Sequence, residues 1–407
     1  MSAEGTESTE LHEYRRQARE WLAANMPRLE GRRAEDDNPT PERVAEIRAT
    51  QSRLYAGGYA GFTFPVEYGG QGLTLSHERI FLDEAAGYDI PRRFFGVSIN
   101  ILGATLAVFG NHEQKAAHIR KILSGQERWL QFLSEPSGGS DLAGLMTRAT
   151  RDGDAFIVNG QKIWSTGAHL SDFAMCPVRT RWDVPKHKGI SVLIVDLRSP
   201  GVEIRQIKQI DGGAEFCEEF FTDAVVPVSN LVGEENEGWR VARGLLQIEH
   251  AWVGRGASAG LHNEGVAPLV RLARSKGLDL DQGIRRQIVS HHVAASVQRM
   301  VAARVSDGIA RGQLTEGYGS LLKLGGALVQ QRRDEFGLSL AGVSGVTWAP
   351  EESAWAEWSH TYLYGRQLSL GGGTNEIQRN NVSERVLGLP REPMFDRDVP
   401  FNEVPHN

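Results

Sequence analysis

One glutamate in the C-terminal half of the chain has surroundings that suit proton abstraction. Apolar residues recur around it at helical spacing and form one stripe, made of Val241, Leu245, Ile248 and Trp252. Glu249 flanks this stripe, and a carboxylate beside apolar side chains loses water, which raises its pKa and strengthens it as a base. Taken alone, the pattern fits better a glutamate at a helix edge that forms a surface salt bridge.

A glycine-rich segment near the C-terminus could bring backbone groups against a bound ligand. Residues 370–379 read Leu-Gly-Gly-Gly-Thr-Asn-Glu-Ile-Gln-Arg. Glycine has no Cβ, so the backbone N–H groups of such a segment can approach a ligand closely. We therefore expect this segment to lie at a binding site.

Two segments in the middle of the chain combine hydroxyls, glycines and a tryptophan. Residues 134–141 read Ser-Glu-Pro-Ser-Gly-Gly-Ser-Asp, and residues 159–166 read Asn-Gly-Gln-Lys-Ile-Trp-Ser-Thr. The flat indole of Trp164 suits contact with a flat aromatic ring. Taken alone, the first segment also fits a generic turn, and Trp164 fits better a core aromatic residue.

The secondary structure elements that must position these residues change in type along the chain. The chain has 407 residues, which is enough for two or three structural units. Residues 1–128 are predicted to be helical, and one helix begins at Thr40-Pro41-Glu42 and ends at Gly57-Gly58. Residues 129–238 are predicted to form a β domain, with strands at 155–158, 190–195 and 202–204 separated by Asp-Gly, Asn-Gly and Pro-Gly turns.

Residues 239–391 are predicted to be helical again, with amphipathic stretches at 239–259 and 287–304, and residues 392–407 to form an extended tail. The order helix, strand, helix gives an α+β fold class and argues against a doubly wound parallel sheet, in which strands and helices alternate. No Gly-x-Gly-x-x-Gly follows a predicted strand, so a Rossmann dinucleotide site is not expected.

Composition excludes several classes of function. The net charge of −6 gives no overall basic surface for binding nucleic acid. Neither a secretory signal nor a membrane span is visible, so we expect a cytoplasmic protein. Cys176 and Cys217 lack metal-ligand spacing and are expected to be reduced, buried thiols. His291 and His292 are expected on a helix surface, and no metal site is predicted.

Taken in order, the chemical segments resemble the motifs of acyl-CoA dehydrogenases. Residues 134–141 resemble Thr-Glu-Pro-x-x-Gly-Ser-Asp, residues 159–166 resemble Asn-Gly-x-Lys-x-Trp-x-Thr, and residues 372–379 resemble carboxylate-Gly-Thr-x-x-Ile-Gln-Arg. The loop at 65–72 resembles Pro-x-Glu-Tyr-Gly-Gly-x-Gly, and the likeness covers about residues 10–391. It implies an N-terminal helical domain, a central β-barrel-like domain and a C-terminal four-helix-bundle domain.

The resemblance implies FAD as cofactor and acyl-CoA as substrate. Trp164 would cover one face of the flavin and the threonine hydroxyl two residues later would reach its N5 edge. The residues implied in FAD binding are Leu133, Ser134, Gly139, Trp164, Ser165, Thr166, Gly373, Thr374 and Glu376. The residues implied in substrate binding are Ser140, His250 and Gly372.

The base is absent from the place where many family members carry it, because that position is Gly372. A branch of the family carries its glutamate on the first helix of the C-terminal domain, after Gly-Trp-x-Val and about eight further residues. Gly238-Trp239-Arg240-Val241 is followed here by Ile248-Glu249-His250, so Glu249 matches that alternative base. His250 stands where the family usually has arginine. The backbone N–H at Gly372 can still polarise the thioester carbonyl.

The implied reaction is α,β-dehydrogenation of an acyl-CoA, with electrons passed to an electron-transfer flavoprotein-like acceptor. Residues 276–279, Lys-Gly-Leu-Asp, lack the Arg and Phe that reach a neighbouring subunit's FAD in many homotetramers. The chain resembles actinobacterial enzymes for steroid or branched acyl groups, which implies a homo-oligomer or a heterotetramer. A non-catalytic partner subunit, a flavin monooxygenase or oxidase on the same fold, and a helical binding protein remain alternatives.

Overall fold

A computed structural model describes residues 9–29, 39–252, 265–347, 353–394 and 396–405 of the chain. The chain divides into two units. Unit 1 contains Met1–Gln209, Gly213–Ile248 and Phe395–Asn407. Unit 2 contains Ile210–Gly212 and Glu249–Met394. The end of the chain therefore belongs to the same unit as its beginning.

Helices form the N-terminal part of unit 1. They are α1 (Thr9–Asn25), α2 (Pro41–Ala56), α3 (Leu75–Ala85), α4 (Arg92–Val97), α5 (Ala104–Phe109) and α6 (His112–Leu123). The predicted start and end of α2 are confirmed, because the Thr40 side chain accepts a hydrogen bond from the Arg43 N–H at 3.3 Å and Gly57 follows the last turn. Pro41 occupies the first turn, where its missing N–H costs nothing.

A π-helical turn, Ser98–Gly103, joins α4 to α5 into one apolar run, Arg92–Phe109. In the described part of the chain this run alone has the length and apolarity of a membrane span, where we expected none, and half of it is buried inside the protein. Ile101, Leu102 and Leu106 are at most 2% exposed. The buried half of the run packs in the core of unit 1, which accounts for its apolar residues.

A curled, seven-stranded sheet follows the helices in unit 1. The strands are β1 (Trp129–Gln131), β2 (Arg148–Asp152), β3 (Ala155–Thr166), β4 (Phe173–Arg179), β5 (Ile190–Asp196), β6 (Val202–Gln206) and β7 (Phe216–Pro227). Their order is β1-β4-β2-β3-β7-β6, and β5 pairs with β4. The three strand predictions are confirmed, since those runs lie in β3, β5 and β6.

The burial pattern along each strand shows which of its side chains point into the core. β5 is buried at six of its seven positions, whereas β7 alternates, and Cys217, Glu219 and Phe221 point inward. Alternation places every second side chain of a strand on one face of a sheet. A charged residue therefore enters the apolar core of unit 1 at position 219, where β7 pairs with β3.

Unit 2 is helical, which confirms the predicted order of helix, sheet and helix. Its described helices are α7 (Gly238–Trp252), which begins in unit 1, α8 (Ala267–Ser275), α9 (Gln282–Ala310), α10 (Gly319–Ala341), α11 (Val343–Val346), α12 (Ser353–Tyr364) and α13 (Asn375–Asn381). α10 contacts α8, α9, α12 and α13. The predicted stretch at 287–304 lies within α9, and residues 253–259 of the other predicted stretch lie outside the described residues.

The tail departs from the extended conformation that we predicted. Phe401–Glu403 form a 3-10 turn, and the Phe401 side chain is 1% exposed. An aromatic ring gains stability when it leaves water, so a turn that buries Phe401 is favoured over an extended, solvated tail.

Candidate functional site

In unit 1, the segment around Ser134 lies directly against β3. The Ile163 N–H donates to the Ser134 carbonyl at 3.0 Å, and the Lys162 Nζ lies 3.4 Å from the Leu133 carbonyl. Ser134 and Leu133 are half-buried, whereas Gly139 and Ser140, further along the segment, are exposed. The structure therefore brings the two central chemical segments together beside β3.

Trp164 interrupts the regular pairing of β3 with β7. The register shifts between Ile163 and Ser165, and Trp164 itself has a φ of 68°. A non-glycine residue with positive φ is uncommon, and such strain occurs preferentially at functional sites. The bulge leaves the indole 57% exposed, directs Ser165 into the core and leaves Thr166 exposed.

This geometry fits the flavin that the motifs imply. Trp164 is a large aromatic side chain, and its flat apolar surface is exposed at a strained backbone position. Exposure of such a surface to water is unfavourable, whereas contact with a flat ligand would cover it. The Thr166 hydroxyl is exposed two residues further along and the half-buried Ser134 lies beside β3, so a hydrogen-bonding group accompanies the indole surface. Trp164, Thr166 and Ser134 would hold the ring, and FAD would supply a hydride acceptor there.

A buried ion pair connects the segment around Ser134 to β3. The Lys162 Nζ lies 2.8 Å from the Glu135 Oε1, and both side chains are at most 3% exposed. The Glu135 carboxylate also accepts from the Met146 N–H at 2.6 Å and the Thr147 N–H at 3.0 Å. Burial opposes ionisation of Glu135, but the Lys162 charge and these donors hold its pKa below the ordinary value.

A second buried carboxylate lies beside this pair, on β7. Glu219 is fully buried, faces Lys162 in the strand register and accepts a hydrogen bond from the Ser165 hydroxyl. Its Oε2 has no hydrogen-bond partner among the described residues. Burial raises the pKa of Glu219 to about 7, against the opposing effects of Ser165 and Lys162.

Glu219→Gln is expected to change how stability depends on pH. The pKa of Glu219 rises from 4.5 to about 7 on folding, so the folded protein retains this proton longer than the unfolded chain. Stability is then highest below pH 4.5 and falls as pH rises through 7, by about 3 kcal/mol for this group. We expect urea unfolding from pH 5 to pH 8 to show a smaller loss of stability in Glu219→Gln than in the wild type.

The matched control for this prediction is Glu234→Gln, which makes the same charge change at an exposed position of unit 1. Its pH profile should follow that of the wild type. Parallel profiles for Glu219→Gln and the wild type would show that Glu219 does not titrate in this range.

In unit 2, Glu249 lies on α7 next to the predicted apolar stripe. Val241 and Leu245 of that stripe are at most 3% exposed, and Glu249 is half-buried. Burial raises the pKa of Glu249 to about 7. A carboxyl group with a pKa near the working pH suits general base catalysis. His250, the next residue, is exposed.

The glycine-rich segment of unit 2 forms a tight turn before α13. Gly372 and Gly373 have φ values of 65° and 85°, which favour glycine, and the Gln378 side chain donates to the Gly372 carbonyl at 2.9 Å. The Thr374 hydroxyl caps α13 by accepting from the Ile377 N–H at 3.2 Å. A Cβ at Gly372 would meet no described atom within 4 Å, so this position borders open space.

The predicted site residues therefore divide between the units. Unit 1 brings together the flavin-binding and substrate-binding candidates from 133–140 and 164–166, and unit 2 holds Glu249, His250 and the candidates at 372–376. Sequence reasoning missed the buried charges at Lys162 and Glu219. The alternation of β7 could have revealed Glu219, because it shares its face with Cys217 and Phe221. No group of three metal-ligating side chains occurs within the described ranges.

Comparisons with known proteins agree over nearly the whole chain. Three family models match in order: acyl-CoA dehydrogenase N-terminal domain at residues 8–126, middle domain at 131–224 and C-terminal domain at 236–387. Acyl-CoA dehydrogenase IpdE1 of Mycobacterium tuberculosis is 37% identical over 385 residues, which cover 94% of this chain and 99% of that protein.

Two solved structures give the same picture. The Tcur3481-Tcur3483 steroid ACAD has a TM-score of 0.79 at 30% identity and covers 95% of this chain and 99% of its own. The ChsE4-ChsE5 complex from Mycobacterium tuberculosis has a TM-score of 0.74 at 27% identity and covers 96% of this chain and 100% of its own.

Proposed function

This chain belongs to the acyl-CoA dehydrogenase family, and from that premise we propose that it desaturates a branched or bulky acyl-CoA between its α and β carbons. Members of the family carry FAD. The observation that carries the proposal is the half-buried position of Glu249 on α7, the helix that buries Val241 and Leu245, combined with Gly372 at the usual position of the base. Burial raises the pKa of Glu249 to about 7, which supports this role. The similarity of this chain to the Tcur3481-Tcur3483 steroid ACAD supports a bulky acyl group.

In the proposed mechanism, each residue has a separate task. The Glu249 carboxylate takes the α-proton, and the N–H of Gly372 donates to the thioester carbonyl, which stabilises the charge that develops there. Bound FAD would supply the acceptor for the β-hydride. Trp164 and Thr166 orient the ring, and Ser140 contacts the acyl-CoA. The electrons then pass to an electron-transfer flavoprotein-like acceptor, in the cytoplasm.

The direct test is anaerobic mixing of the purified, flavin-loaded protein with a panel of CoA esters. We expect loss of the yellow flavin absorbance within one turnover and formation of the enoyl-CoA. Oxygen consumption without an added acceptor would instead indicate an oxidase or monooxygenase. A protein that binds FAD but is bleached by no ester of any shape would favour a non-catalytic partner subunit.

The open space at Gly372 predicts a preference in substrate shape. We expect 2-methyl or ring-bearing CoA esters to have a higher kcat/KM than straight-chain esters of medium length. Gly372→Glu should lower kcat/KM for the bulky esters by about 10–200-fold, because a side chain would occupy space beside the substrate. Gly372→Ala, which meets the same backbone strain with a small side chain, is the matched control. Faster turnover of straight-chain esters by the wild type would contradict the prediction.

An exposed apolar stripe on α9 predicts that the chain assembles into an oligomer. Its members share one face of the helix and are 48–64% exposed: Val289, Val293, Val297 and Met300. Contiguous exposed apolar surface marks an interface, and obligate interfaces bury on the order of 2,000 Å² or more. Relatives of this chain include the ChsE4-ChsE5 complex. We propose a homo-oligomer, or a heterotetramer whose partner supplies the flavin contact that 276–279 lack.

Light scattering with the flavin-to-protein absorbance ratio tests this assembly. A dimer or tetramer with about one FAD per chain is expected for a homo-oligomer, and a flavin-poor protein for a missing partner. Val293→Glu should dissociate the assembly, whereas His292→Glu, the same charge change at the next exposed residue, should not. A monodisperse wild-type monomer with tightly bound FAD would rule the assembly out.

A further inference from the structure

The C-terminal tail of unit 1 docks on the loop between β4 and β5 through backbone hydrogen bonds and one isolated β-bridge, between Pro185 and Pro400. The Phe401 N–H donates to the Val184 carbonyl at 2.8 Å, and the Asn402 N–H donates to the Trp182 carbonyl at 3.0 Å. The Phe401 ring is 1% exposed and lies 5.6 Å from the Trp182 ring. The tail is therefore fixed by both its backbone and one buried aromatic side chain.

The buried ring covers an arginine that holds two loops together. The Arg179 guanidinium lies 3.7 Å from the centre of the Phe401 ring and is fully buried. It donates to the carbonyls of Ala143 at 2.5 Å, Leu145 at 3.1 Å and Lys186 at 2.9 Å. A buried guanidinium without an ion-pair partner among the described residues depends on such acceptors and on an aromatic face.

A second link runs through a buried lysine. The Lys186 Nζ lies 2.8 Å from the Asp141 carboxylate and 2.8 Å from the Asp396 carboxylate of the tail, and the lysine side chain is 5% exposed. Asp141 follows Ser140, and residues 141–145 are the loop that Arg179 holds. One tail therefore reaches both ends of a short segment, at Asp141 through Lys186 and at residues 143–145 through Arg179.

We propose that the C-terminal tail positions the segment 140–145 for acyl-CoA binding, with Phe401, Lys186 and Arg179 as positioning residues. The tail covers Arg179 and shares Lys186, so the conformation of the segment depends on whether the tail is docked. The part that concerns acyl-CoA rests on the proposed function, in which Ser140 contacts the substrate. The part that concerns the conformation of segment 140–145 does not depend on the proposed function.

Hydrogen exchange measured on the flavin-loaded protein tests the first part. The N–H groups of Gly144, Leu145 and Met146 are all hydrogen-bonded, so the wild type should protect them from exchange. A chain that ends at Met394, and Phe401→Ala, should exchange these amides at least tenfold faster, while β5 remains protected. Asp398→Asn removes an exposed charge from the same tail and should exchange like the wild type. Unchanged exchange at 144–146, or equal acceleration throughout unit 1, would overturn the proposal.

Binding of free CoA, followed by calorimetry, tests the second part without requiring turnover. We expect the truncated chain and Phe401→Ala to raise the Kd for CoA about tenfold or more. Tenfold corresponds to about 1.4 kcal/mol, which is about the contribution of one hydrogen bond that a displaced segment would lose. Phe401→Leu should restore only part of the affinity, because leucine keeps the apolar contact but offers Arg179 no aromatic face. With an active ester, KM should rise while kcat and FAD content stay close to wild type. An unchanged Kd would overturn the role in substrate binding, even if no CoA ester bleaches the flavin.

Discussion

Glu249→Gln is expected to retain fold and FAD but to lose flavin bleaching by several orders of magnitude. A positioned base supplies about 10²–10⁴-fold, and often more where the proton is weakly acidic. Glutamine has nearly the same size and cannot accept the α-proton. Single-turnover bleaching with the best CoA ester measures the chemical step directly. Rapid bleaching by the mutant would exclude Glu249 as the base.

The pH dependence of the same step provides an independent check on Glu249. The base must be ionised, and the pKa of Glu249 is raised to about 7 by burial. The bleaching rate should therefore increase about tenfold per pH unit below 7 and level off above it. Glu219→Gln should retain this profile, although the pKa of Glu219 is also raised to about 7, because its carboxylate lies buried against Ser165.

Lys162→Met is expected to have the largest effect on stability, a loss of about 3–5 kcal/mol in the free energy of unfolding. The substitution removes the partner of Glu135 and leaves a buried carboxylate that still caps two N–H groups. It also releases the Leu133 carbonyl, so FAD content should fall with stability. Urea unfolding followed by far-UV circular dichroism measures the first effect, and the absorbance ratio measures the second.

Lys208→Met is the matched control, because it makes the same chemical change at an exposed position of unit 1. Surface substitutions of this kind stay within about 0.5 kcal/mol of the wild type. If Lys162→Met and Lys208→Met unfold at the same urea concentration, the buried pair does not stabilise the sheet.

The features that the sequence predicted correctly depend on local or periodic patterns. Thr40 and Gly57 bound α2 through hydrogen bonds within a few residues, and the strand runs were visible as apolar stretches between turns. The motif order was enough to indicate the family, because each motif is short and contiguous. The role of Glu249 remains a prediction that rests on this pattern and on its burial.

The features that the sequence did not predict depend on distant partners. Glu219 faces Lys162 only because β7 pairs with β3 in one register. Phe401 covers Arg179 although the two residues lie far apart in the sequence. Nothing near Phe401 in the sequence distinguishes a buried ring from an exposed one. The extended tail was therefore a prediction from composition that tertiary packing overrode, as commonly happens.

The position of Phe401 also bears on how the protein is made. Unit 1 is interrupted at Ile248 and completed only by residues near the C-terminus. Roughly 150 residues separate Ile248 from Phe401, so translation at about 5–20 residues per second leaves about 8–30 s between them. During that interval the site of Arg179 lacks its aromatic cover, although all seven strands of the sheet have already been synthesised. The nascent chain therefore acquires the aromatic cover of Arg179 only after all of unit 2 has been synthesised.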